Sequence, residues 1–307
     1  MAQLHQQPFS GVHVAMNSCY DDTGEVSPKA AKRLTRFLIE KGVNGLYVGG
    51  GTGEGILQTA EERMSILEAV LEENAGQVTV TAHIGANITK DSVRLAQHAE
   101  QAGADAVSSI PPFYYTYSED AVKAYWDAMM DNCELPFIIY NIPAATGFNM
   151  STAMLKDMLT RSKLLGIKMT TFSVYDIQQF KAIGGDKFKV FNGPDQQYLA
   201  GRLMGADAGI GGTYCAMPEL FVRLERHIQN GQMKEAQDLQ VVINEIITDI
   251  RAIGLFAALK ELVRLRGVDC GQPRLPLPAA KTSDGPTIRA IYDKIMKAVE
   301  QGERVQH

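Results

Sequence analysis

Before residue 230 the chain repeats one local pattern eight times: a short apolar run of strand length, then an amphipathic stretch of helical length. The runs at 11–17, 45–48, 78–84, 106–110, 137–140, 165–169, 188–191 and 208–210 read as strands. Ser27-Pro28 is an N-cap with proline at the first helical position, and Gly42 stops that helix. Thr59-Ala60-Glu61-Glu62 has capping-box spacing, and its helix ends near Gly76. Further helices are expected over 89–103, 118–132, 151–162, 175–183, 196–204 and 218–229. Gly42, Gly103 and Gly205 each close a helix just before entry into the next strand. Strands joined through helices pair in parallel, because each crossover returns the chain to the same end of the sheet. Eight such units predict an α/β fold, a closed (β/α)8 TIM barrel. A doubly wound open sheet is the alternative.

After residue 230 the rhythm changes. Helices are expected over 233–253 and 255–265 with no strand between them. A proline-rich segment at 270–278 and a last amphipathic helix over 287–300 follow. Residues 1–230 are therefore read as the catalytic barrel. Residues 231–307 are read as a helical region packed on it, not a separate functional domain.

Charge and cysteine usage exclude several classes of function. The formal net charge is −5 with both signs mixed along the chain, so neither a nucleic-acid surface nor a basic membrane face is expected. The N-terminus lacks a basic segment followed by an apolar one, and no apolar run reaches the roughly 18 residues that span a bilayer. Cys19, Cys133, Cys215 and Cys270 have no metal-ligand spacing and read as reduced thiols of a cytoplasmic protein. The six histidines, from His5 to His307, form no HxH or HExxH, so neither a metal nor another cofactor is expected.

In a barrel of this class the chemistry lies at the C-terminal ends of the strands. Lys168 closes the apolar run Leu164-Leu165-Gly166-Ile167. An ammonium there loses hydration, which favours the neutral amine, and a neutral amine attacks a carbonyl carbon to form a Schiff base. The structural alternative is a lysine that snorkels to solvent or pairs with a carboxylate. Tyr140 ends the adjacent strand, so phenol and amine can meet, and the phenol can move protons for the lysine. The second strand runs into Gly49-Gly50-Gly51-Thr52-Gly53-Glu54-Gly55, whose amides and threonine hydroxyl suit an anion. The structural alternative is a flexible turn with an N-capping threonine. Tyr114, Tyr115 and Tyr117 follow the fourth strand and read as a packing patch. The polar exits Asn192-Gly193-Pro194-Asp195-Gln196 and Gly211-Gly212-Thr213-Tyr214 suit a polyol or acid tail. Together these residues describe aldol cleavage or addition of a 2-oxo acid through a protonated imine.

The glycine-rich loop, Tyr140-Asn141-Ile142-Pro143 and Gly166-Ile167-Lys168 resemble the dihydrodipicolinate synthase / N-acetylneuraminate lyase family of class I aldolases. The resemblance runs through Arg274-Leu275-Pro276-Leu277. It implies a barrel, usually in a homotetramer, with pyruvate bound as a Schiff base to Lys168 and an aldehyde sugar as the other partner. Tyr140 would carry the proton, while Gly51 and Thr52 would hold the pyruvyl carboxylate. Tyr114 would match a tyrosine that reaches into a neighbouring subunit's site. Thr170, Gly193 and Asp195 would contact the sugar chain. Ala145 stands where dihydrodipicolinate synthases carry a carboxylate-gripping arginine, so the text is closer to the sialic acid lyases. It departs from them at Gly51 and Gly212, where serines are expected, and at Gln196, where a glutamate is expected. Those positions leave open an aldolase or dehydratase for another 2-oxo-3-deoxy sugar acid. The missing hydroxyl at Gly51 leaves open a sensor that only binds 2-oxo acids.

Overall fold

The computed structural model describes residues 8–304. His5, His307 and the first seven residues, on which the expectation of no leader rests, lie outside that range. Eight strands form one closed barrel: β1 (Gly11–Ala15), β2 (Gly45–Val48), β3 (Thr79–His83), β4 (Ala106–Ser109), β5 (Phe137–Asn141), β6 (Leu164–Met169), β7 (Lys189–Asn192) and β8 (Ala208–Gly211). Every neighbouring pair is parallel, and β8 returns to β1 through Gly11↔Ala208 and His13↔Ile210. Closure excludes the open sheet. It also sets an inner face, filled by Ala15, Tyr47, Ile138, Tyr140, Phe191 and Ile210. The outer strand faces pack against the helices in a second, larger apolar core.

The helix signals operate as local chemistry. Ser27 accepts from the Ala30 amide, and Thr59 and Glu62 complete a reciprocal capping box. These bonds satisfy amides that the first helical turn cannot pair internally. Gly103 ends its helix at φ 88°, a left-handed conformation open to glycine at little cost.

One expectation about a helix shifts. The helix expected to reach residue 162 is Thr152–Met158, because Thr160 Oγ1 and Arg161 Nη1 both donate to the Asp157 carbonyl and close it early. After β5, Pro143 opens a one-turn helix, Pro143–Thr146. Beyond the barrel lie the helices Met233–Ile253, Leu255–Leu265 and Gly285–Arg304. No described helix is long and apolar enough to cross a membrane. Among the described residues no group of three or more His, Cys, Asp or Glu is placed to hold a metal ion.

Candidate active site

Parallel register brings two candidate side chains together. Tyr140 on β5 is the direct neighbour of Lys168 on β6, and both point into the barrel. The Lys168 ammonium nitrogen lies 3.9 Å from the centre of the Tyr140 ring and 4.6 Å from that of Tyr47. Such contacts are cation–π attractions to the charged amine. Lys168 is only 4% exposed, so it does not snorkel. Among the described residues no carboxylate pairs with it.

Around it the barrel interior is polar but neutral. Tyr47 donates to Ser108 at 2.9 Å, and burial pushes its phenol pKa well up. Burial, reinforced by the charges of Arg63 and Lys168, holds the His83 imidazole well below its usual range. His83 Nε2 is buried with no partner among the described residues.

A cavity of about 560 Å³ opens above Lys168 at the C-terminal ends of the strands. Gly51 and Thr52 form one wall with Tyr140 and Lys168 beneath them. Thr170, Gly193, Asp195, Gln196 and Gly212 line the outward half, so nine of the ten expected site residues share one cavity. Tyr114 does not. It stands 87% exposed at φ 85°, edge-on to Tyr115 at 5.1 Å, and Tyr115 is 69% exposed. The packing patch read from the sequence is thus corrected: of the three tyrosines, only Tyr117 packs on the core.

The glycines that line the cavity differ physically. A Cβ on Gly51 would meet nothing within 4 Å. One on Gly212 would lie 2.5 Å from Thr52 Oγ1, and one on Gly193 would overlap Thr170 Oγ1. Only position 51 is open space. Position 212 is already filled by the Thr52 side chain. Thr170 Oγ1 is buried and has no partner among the described residues. Asp195 accepts from Thr213 N at 2.9 Å and Thr213 Oγ1 at 2.6 Å, which fixes the β8 exit. Burial raises the Asp195 pKa, against those bonds and the charges of Lys168 and Arg251.

Sequence reasoning missed what holds the glycine-rich loop. Glu54 sits at φ 53°, a conformation costly for glutamate, and its side chain is fully buried. Its carboxylate accepts from the Ser18 hydroxyl and from the Arg274 amide at 2.8 Å, and it pairs with Lys260 at 3.1 Å. Lys260 also donates to the Gln272 carbonyl at 2.9 Å. Three separate segments therefore converge beneath Gly51 and Thr52. A signal existed, because Lys260 lies on the apolar face of its helix between Leu259 and Leu262.

Residues 8–295 match the model of the dihydrodipicolinate synthetase family. The chain belongs to this family. Within it, the chain is 38% identical to an N-acetylneuraminate lyase of Mediterraneibacter gnavus, over 95% of this chain and 94% of that protein. It is 34% identical to an N-acetylneuraminate lyase of Rhizobium meliloti, over 96% of this chain and 98% of that one. Among solved structures, wild-type sialic acid aldolase of Ruminococcus gnavus superposes with a TM-score of 0.94 at 38% identity, covering 95% of this chain and 99% of that chain. The Clostridium difficile protein CdNal, solved with mannosamine, gives 0.91 at 29% identity, covering 94% and 100%. The family membership and barrel expected from the sequence are thus both found.

Proposed function

We propose that this family member is a pyruvate-dependent aldolase of the N-acetylneuraminate lyase type, with Lys168 as its Schiff-base residue. The observation that carries this reading is a buried lysine without a counter-ion, at a strand C-terminus, beside a phenol and at the base of a large cavity. Such a group is expensive to retain in a fold unless its amine is used. Two relatives named N-acetylneuraminate lyase, and the solved catalytic lysine mutant of Ruminococcus gnavus sialic acid aldolase, support the same chemistry.

In this mechanism the neutral Lys168 amine adds to the 2-oxo carbon of the substrate. Tyr140 gives up its phenol proton as water is lost, which leaves a protonated imine and the Tyr140 phenolate. Tyr140 takes the proton of the C4 hydroxyl as the C3–C4 bond breaks, and the electron pair of that bond flows to the imine nitrogen. The aldehyde leaves. The resulting enamine is protonated at C3, and hydrolysis releases pyruvate and restores the amine. Gly51 and Thr52 hold the pyruvyl carboxylate. Thr170, Gly193, Asp195, Gln196 and Gly212 border the aldehyde half. We further assign the exposed Tyr114 to a contact with a second subunit in a homotetramer, with residues 231–307 acting as part of the barrel unit.

Pyruvate release from N-acetylneuraminate, followed with a coupled lactate dehydrogenase, tests the reading. Release by the wild type and none by Lys168→Ala is expected. Pyruvate release that survives in Lys168→Ala would overturn the assignment of the nucleophile.

A further inference from the structure

The outward half of the cavity carries a charge that the chemistry at Lys168 does not use. Gln240, Asn244, Ile247 and Arg251 are spaced by four, three and four residues, so they lie on one face of the helix Met233–Ile253. The first two pin that face to the β7 exit. Gln240 donates to the Asp195 carbonyl at 3.3 Å, and Asn244 donates to the Gln196 carbonyl at 3.0 Å. The last two line the cavity, with Leu255 beside them after the break at Gly254. Arg251 is therefore held over the cavity mouth by an anchored helix.

Three charged residues line this cavity: Lys168, Asp195 and Arg251. Asp195 is committed to Thr213. Among the described residues Arg251 has no ion-pair partner. Phe172, Ala144, Ala145, Ile247 and Leu255 make the nearby wall largely apolar and offer no competing carboxylate. Thr170 Oγ1 adds an unspent donor deeper in the same half.

Reaction geometry says which part of a ligand meets this cation. The aldehyde carbon must sit beside the pyruvate methyl carbon, at Lys168. The far end of the aldehyde chain then points outward, toward the mouth. We infer that Arg251 forms an anion subsite selecting aldehyde sugars with a phosphate or carboxylate on the carbon farthest from the reacting carbonyl. A guanidinium fork suits either group through paired N–H donors. This inference rests on the aldolase reading for the direction in which the ligand lies.

Calorimetric binding of mannosamine, mannosamine 6-phosphate and mannuronate, each with pyruvate present, tests it on the intact protein. The wild type should bind at least one anionic sugar about 10-fold more tightly than mannosamine, the scale of one charge-assisted contact. The preference should shrink with added salt, because the cation is exposed. In Arg251→Gln it should fall to about 2-fold or less, and Arg251→Lys should restore part of it for phosphate. Which of the two anions gains more identifies the group. Equal binding of all three sugars by the wild type, or a preference that survives in Arg251→Gln, would overturn the inference. Borohydride trapping of pyruvate on the same preparations separates the two claims. No adduct with the anion preference intact removes the aldolase reading and leaves the subsite standing. An adduct without the preference does the reverse.

Discussion

Among the described residues two lysines are buried, and they live in opposite circumstances. Lys260 is 2% exposed and tied to Glu54, a carbonyl and the face of Tyr20. Lys168 is 4% exposed and rests on two aromatic faces, with no carboxylate partner among the described residues. Equal burial thus has two meanings. A paired buried lysine is part of the scaffold, and removing it strands a charge. An unpaired one weakens the fold and persists where its amine has work to do. The loop at residues 49–55 meets both settings: Glu54 pairs with Lys260, while Gly51 and Thr52 line the cavity that also holds Lys168.

The largest expected effect breaks this comparison at its chemical end. Lys168→Ala should abolish turnover, yet cost less stability in urea than any loss of Lys260. A variant as unstable as Lys260→Met would mean that Lys168 too is scaffold. Tyr140→Phe should lower the rate about 10²–10⁴-fold while pyruvate remains trappable. Equal loss of trapping would contradict its proton-carrying role.

At the scaffold end, Lys260→Met should cost about 3–5 kcal/mol, because Glu54 is left buried and uncompensated. Lys260→Met combined with Glu54→Gln should recover part of that in urea unfolding. Purely additive losses would deny the coupling.

A smaller effect comes from pH. Burial holds the His13 imidazole down at about 4, where an unfolded histidine titrates near 6.5. The unfolded chain therefore binds more protons in between, so this stability is full above pH 6.5 and lost as pH falls toward 4. The term is roughly 3 kcal/mol at most, and buried neutral His83 acts in the same direction. His13→Gln should flatten that slope in denaturation at several pH values, and an unchanged slope would contradict it. Least of all, Gly51→Ser should leave stability within about 0.5 kcal/mol, since its Cβ meets nothing. It should also raise N-acetylneuraminate cleavage severalfold, and a drop would show that the open space is used by substrate.

The barrel was legible because each unit is bounded by local chemistry: an N-cap, a C-cap glycine and a run too short for a helix. The meeting of Lys168 with Tyr140 was legible for a related reason, because consecutive strands of a parallel barrel are neighbours. What lay hidden depends on distant partners. Glu54 and Lys260 meet only after the C-terminal helices fold back, and neither residue's surroundings in sequence name the other. Arg251 was hidden because its helix reads as packing, until the face it shares with Gln240 and Asn244 is seen against the β7 exit. The glycine at 212 looks like a lost side chain in sequence, whereas Thr52 fills that position in space.

The most direct test of Lys168 as the unpaired, reactive lysine is borohydride reduction in the presence of pyruvate, with the modified peptide located by mass spectrometry. One pyruvyl adduct is predicted, on Lys168 and not on Lys260, and none in Lys168→Ala. An adduct on another lysine, or no adduct in the wild type, would contradict the account.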